Sequence, residues 1–329
     1  MSFKRLDQED IVISADSITA PAWTGNIVNL NSIYINSAQR SGESGDYYLN
    51  VYNEDPAVSS SAAIQFSIAY GHLKGSGSAD LNTGIDGYSP SRIVYGQYRT
   101  LINGTEEANL SFGSSTPEYI YAISIQRARY KEKLFPGSLS LKLYGPTNEV
   151  LTLTDDSNYT TTETFTDVGR VYNIVSGSAG VRVNTTNYGS FLPDAGLILL
   201  NGAQLDSGSA DGGISLGTGQ SNTDVENPVK LYNAIKSGSN FSLRSEETVS
   251  SNYVFVRARN SEFNYSTNPS NITGSGELRH SVMIDSPQGY ITAVGLYNDN
   301  NDLLAVAKLS KPLVKDFTKE ALIRIKLDY

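Results

Sequence analysis

Short stretches in which apolar and polar side chains take turns, each closed off by Gly, Asn, Ser or Asp, recur along almost the whole chain. Leu139-Ser140-Leu141-Lys142-Leu143 shows the pattern most cleanly. Successive side chains on a strand point to opposite faces, so such a segment offers one face to a core and the other to water. By this criterion Tyr47–Tyr52, Ile64–Tyr70, Tyr119–Gln126, Leu139–Leu143, Val150–Leu153, Val171–Val175, Leu197–Leu200 and Tyr253–Arg257 read as strands. Tyr290–Tyr297, Leu303–Leu309 and Ala321–Leu327 complete the set, and Asn298–Asp302, rich in residues that tolerate positive φ, is the predicted turn of a hairpin. Helical periodicity is scarce. One short helix is expected, with Asn227 as its cap, Pro228 at its first position, Leu231, Ala234 and Ile235 on one face and Gly238 as its stop. The fold class that follows is mainly β, with antiparallel sheets in a sandwich-like arrangement, one short helix and long Gly/Ser-rich loops.

Those loops are Gly75–Asp80, Ser176–Gly180 and Ser207–Gly213, similar in composition but without an apolar pattern recurring at a fixed period. The first 45 residues alternate little, and Asn36–Gly45 is polar and Gly/Ser-rich, which predicts an extended N-terminal arm at 1–45 that orders against a partner. Strong strands before Pro136 and after Pro287 predict a β-domain made of 46–135 together with 286–329, with 136–285 as an inserted or second β-rich domain.

Chemistry is thin. There is no Cys among the 329 residues, which excludes disulfides, thiol nucleophiles and Cys-ligated metals. A net charge of −9 argues against binding nucleic-acid phosphates. No apolar run approaches the roughly 20 residues needed to span a bilayer, and the opening residues lack the apolar core of a signal peptide, so synthesis in a cytoplasm is expected. His72 and His280 are far apart and outside any metal-binding spacing. Gly213-Ile214-Ser215-Leu216-Gly217 matches a nucleophile-elbow pattern, but loop residues flank it where a strand and a helix are required. The adjacent acids Glu106-Glu107, Asp155-Asp156 and Glu246-Glu247 point to opposite faces if strand-borne, a poor arrangement for general acid and base. The expectation is a protein that is not an enzyme and has no cofactor or metal.

Contact chemistry is better supplied. Arg127-Ala128-Arg129-Tyr130-Lys131-Glu132-Lys133 is the one dense basic run, and on a strand Arg127, Arg129, Lys131 and Lys133 would line one face, fit to meet an acidic partner. The 21 Tyr against 10 Phe and the single Trp23 add rings that also hydrogen-bond, suited to protein contacts or to sugars. With Phe3 and Arg5 of the arm, these are the candidate interface residues.

Several stretches resemble one family. Phe3 to Thr19, Ser91 to Arg99, Arg127 to Gly137, Tyr188 to Asp194 and Gly295 to Lys308 are similar to virion structural proteins of cyanophages and related marine phages with T-even-type contractile tails. The resemblance implies a tail protein of the baseplate or fibre-attachment region, built into the virion through contacts with other tail proteins and with copies of itself. It transfers no catalytic residue. The alternative expectation is a host-recognition module binding cell-surface glycans through Tyr and Trp23.

Overall fold

The computed structural model describes residues 4–36, 48–78, 89–221, 226–266 and 268–328. Phe3 and most of the predicted Gly/Ser-rich stretch at 36–45 lie outside them. Along the chain run β1 (Ile11–Pro21), β2 (Asn29–Leu30), β3 (Tyr48–Tyr52), β4 (Ile64–His72), α1 (Pro90–Asn103), β5 (Tyr119–Ile125), β6 (Lys133–Leu134), β7 (Ser140–Tyr144) and β8 (Val150–Asp155). They continue with β9 (Thr164–Thr166), β10 (Gly169–Ser178), β11 (Val181–Arg182), β12 (Gly189–Leu192), β13 (Leu197–Asn201), α2 (Gly202–Asp206), α3 (Asn227–Gly238) and β14 (Phe241–Ser242). Last come β15 (Arg244–Ala258), α4 (Val282–Asp285), β16 (Gln288–Tyr297), β17 (Leu303–Asp316) and β18 (Ala321–Asp328). The fold is mainly β and its strand pairings are antiparallel.

The chain divides into two units, residues 18–247 and residues 1–17 with 248–329. This corrects the expected division. Strand β5 pairs with β4 on one side and β13 on the other, so 46–135 and the segment after Pro136 share one sheet. The C-terminal strands instead pair with β15 or with each other. The expected N-terminal arm is also revised, because residues 11–21 form strand β1, which pairs with β15.

In the larger unit one curled sheet follows the path β2-β14-β7-β8-β10-β12-β13-β5-β4-β3. Its ends meet through one chain segment: Leu30 pairs with Phe241, and four residues on Tyr34 exchanges hydrogen bonds of 3.0 and 2.8 Å with Tyr52 of β3. Alternation then sorts side chains by face. Tyr121, Ile123, Ile198, Leu200, Phe66 and Ile68 enter the enclosed core, while Ile120, Ala122, Leu197 and Leu199 form a second cluster on the outside.

Helix α1 covers that outer cluster with Val94, Tyr95, Tyr98, Leu101 and Ile102, spaced to share a face. Pro90 opens the helix and Gly104, at φ 67°, closes it in the left-handed region. The helix can approach β4 because Gly71 has no side chain: a Cβ there would lie 2.9 Å from the Tyr95 nitrogen. Helix α3 buries Leu231, Tyr232, Ala234 and Ile235 in the enclosed core. Asn227 does not cap it as expected. Its buried amide bridges two loops instead, accepting from Gly219 N at 2.9 Å and donating to Gly77 O at 2.8 Å.

In the smaller unit β15 and β18 pair from Ser251–Asp328 to Ala258–Ala321, and β16 and β17 form a two-stranded hairpin. The turn at Asn298–Asp302 is where the alternation placed it, closed by Asn298 N to Asp302 O at 3.1 Å.

Candidate functional site

The basic run does not form a stripe. Strand β5 ends at Ile125, and Arg127–Arg129 wind into a 3-10 turn closed by Arg129 N to Gln126 O at 2.8 Å, which breaks the period of two. Each charge then finds a local use. Arg127 donates to Tyr130 O at 2.6 Å and stacks on that ring, and Arg129 donates to Thr24 Oγ1. Lys131 pairs with Glu247 at 2.7 Å, and Lys133 pairs with Glu246, its register partner on β15, at 3.7 Å. The acidic surface that this run meets is therefore the Glu246-Glu247 pair of the same chain.

Trp23 is also spent inside. Only 2% exposed, it sits against Phe241 and Phe66 with ring centroids 4.9 and 6.1 Å away, and its indole N–H donates to Phe241 O at 2.7 Å. Its face is closed to a sugar. Arg5 is exposed and forms no ion pair among the described residues.

Several titratable groups of the larger unit take part in its hydrogen-bond network. Burial lowers the pKa of His72, which accepts from Lys74 N at 3.0 Å and stacks on Tyr119. Tyr119 in turn donates to Asp206 at 2.7 Å, and Asp206 accepts from Thr218, fastening the loop after α2. Asp155 is fully buried and burial pushes its carboxyl up, although Ser157 and Gly137 N donate to it. Asp156 accepts from Asn173 N and Nδ2, both at 2.9 Å. Asp194 shows the opposite balance: burial would raise it, but the Arg170 guanidinium, 2.8 Å away, holds it low. Ser215 of the elbow pattern stands in a loop at φ 51°, with neither strand nor helix around it. No group of three or more His, Asp or Glu among the described residues could hold a metal, and no helix there is long and apolar enough to cross a membrane.

What stands out is the smaller unit. Both buried hydrophobic clusters lie wholly within the larger one. Among the described residues the only hydrophobics that the smaller unit buries are Val254, Ala258, Ala321 and Ile325, against thirteen large ones left exposed. Ile13 is 74% exposed, Leu322 67% and Leu304 67%. Contiguous apolar surface on a folded protein is where contacts with other molecules form.

The hairpin of β16 and β17 is its clearest part. Strand β16 carries no charge, and Tyr290-Ile291-Thr292-Ala293-Val294-Gly295-Leu296-Tyr297 is apolar on both faces. A run of this kind belongs to a strand covered on both sides. Among the described residues each strand of this hairpin pairs only with the other. Its base is firmly held. Lys315 is fully buried and donates to Asn264 Oδ1 at 2.6 Å, Asp316 O at 2.9 Å and Asn260 O at 3.1 Å, which uses all three ammonium protons.

No known protein family, curated protein or solved structure matches this chain.

Proposed function

We propose that the chain is a non-enzymatic assembly protein, a structural component of a contractile phage tail at the baseplate or fibre-attachment periphery. One observation carries the assembly part: a unit of about a hundred residues holds, among its described residues, four buried hydrophobics and thirteen large exposed ones. A two-stranded hairpin alone in water is marginal at best, so its apolar faces call for a partner to cover them. The larger unit, with two clusters of its own, serves as the body that carries this surface. The similarity of its stretches to virion proteins supplies the setting, and the work it implies is geometric: presenting strands and rings to neighbours.

The glycan-binding reading loses its named residue, since Trp23 is closed in the core. The test is location. Antibody labelling of purified particles is expected to mark the baseplate or fibre-attachment region. Particles that lack the chain altogether would overturn the reading.

A further inference from the structure

The hairpin carries a charge pattern that complements itself. Asp299 and Asp302 stand at its tip, Lys308 and Lys311 lie further down β17, and the uncharged residues 303–307 separate them. None of these four makes an ion pair among the described residues. Between the two ends one face is apolar and open. The pairings Gly295–Val306 and Ala293–Lys308 place these residues on a common side. Tyr297 joins them, since a Cβ on Gly295 would lie 2.9 Å from its ring. Val306 is 60% exposed on this face and Leu303 53%.

A two-fold axis through the middle of this face would lay one hairpin antiparallel on another. The acidic tip of each would then meet the basic segment of the other, twice over, while Val306, Leu303 and Tyr297 of both copies cover one another. Such reciprocity defines an isologous interface, in which the same patch serves both partners. Packing face to face also suits the edge of β17, where Lys311 and Pro312 discourage strand addition. The pinned base at Lys315 fixes the hairpin in advance, which lowers the ordering cost of association.

We propose that this face binds a second copy of the chain, hairpin on hairpin across a two-fold axis, with Asp302 and Lys308 as reciprocal partners. This rests on the assembly reading and names one partner for it. The test is sedimentation velocity on the full chain from about 1 to about 100 μM, the range in which micromolar association registers.

The wild type is expected to dimerise with rising concentration. Val306→Asp should abolish this, and Lys308→Glu or Asp302→Lys should each weaken it by about tenfold. The double variant, with both charges exchanged, should restore it. Amide protection in β15 and β18, which belong with the hairpin to the smaller unit, verifies that each variant is folded there. A wild type that stays monomeric throughout, an oligomer indifferent to Val306→Asp, or a double variant no tighter than the singles would overturn the proposal. A monomer that labelling still places in the tail would leave the assembly reading standing with a different neighbour.

Discussion

The two units spend the same kinds of residue in opposite ways. In residues 18–247 alternating strands close around one core and α1 seals a second cluster outside, so Ile120 and Tyr121, adjacent in sequence, are both fully buried on opposite faces. In residues 248–329 the strands alternate as well, yet Leu303, Leu304 and Val306 face water. What differs is whether another element lies against the strand. A strand's own sequence specifies its two faces, and what covers each is decided by the rest of the chain or by another molecule.

Breaking the larger unit should have the largest effect. Phe241→Ala removes a fully buried ring that touches Trp23 and Phe66, and is expected to cost about 3–5 kcal/mol, read by denaturant unfolding followed through Trp23. The same kind of truncation at Val306 should leave that curve unchanged.

A second substitution acts on the smaller unit. Lys315→Met leaves Asn264 Oδ1 and two carbonyls short of a donor, at a cost of about 1–3 kcal/mol, and should release amide protection in β16 and β17 first. Loss of protection in β4 and β5 instead would contradict the role of Lys315 in holding the hairpin's base.

The larger unit should also carry its own pH signature. The Asp155 carboxyl is raised by burial, so the folded state holds its proton more tightly than the unfolded chain. Stability from this group is greatest at acid pH and is lost as pH rises through the raised value. Asp194 is held low by Arg170, so its contribution is present above the ordinary carboxylate range and is lost as pH falls through the lowered value. Asp155→Asn should flatten the first slope and Arg170→Met the second, in unfolding midpoints measured from pH 3 to pH 8.

The smallest effect belongs to Lys131→Ala. Its exposed ion pair with Glu247 should be worth at most about 0.5 kcal/mol in thermal unfolding.

Much of the architecture was legible in the sequence, because alternation and turn chemistry are local. Strands β3, β4, β5, β7, β8, β10, β13, β15, β16, β17 and β18, the hairpin turn at Asn298–Asp302 and helix α3 were placed that way, whereas β1 and β12 were not. Helix α1 was missed although its signals were present: Ser89-Pro90 at the start, Gly104 after the end, and Val94, Tyr95, Tyr98, Leu101 and Ile102 on one face. Gly96 and the β-branched residues Ile93 and Val94 dilute that pattern.

The candidate site was less legible. The fate of Arg127 to Lys133 depends on Thr24, Glu246 and Glu247, more than a hundred residues away, and local pattern says nothing of such partners. Trp23 was chosen as a scarce large ring, but the strands that Phe66 and Phe241 occupy close over it. The uncharged run Tyr290–Tyr297 did hold a clue, since it reads as a strand covered on both faces, yet Tyr290 and Tyr297 stand exposed and Ile291, Val294 and Leu296 are only half-buried.

The most direct measurement of that contrast is amide hydrogen exchange on the full chain, dilute and then assembled in particles. In dilute solution β4, β5 and β13 should be strongly protected and β16 and β17 measurably less so, and assembly should slow the hairpin selectively. A hairpin already protected like β5 in the dilute monomer, or one whose exchange is unchanged by assembly, would contradict the account.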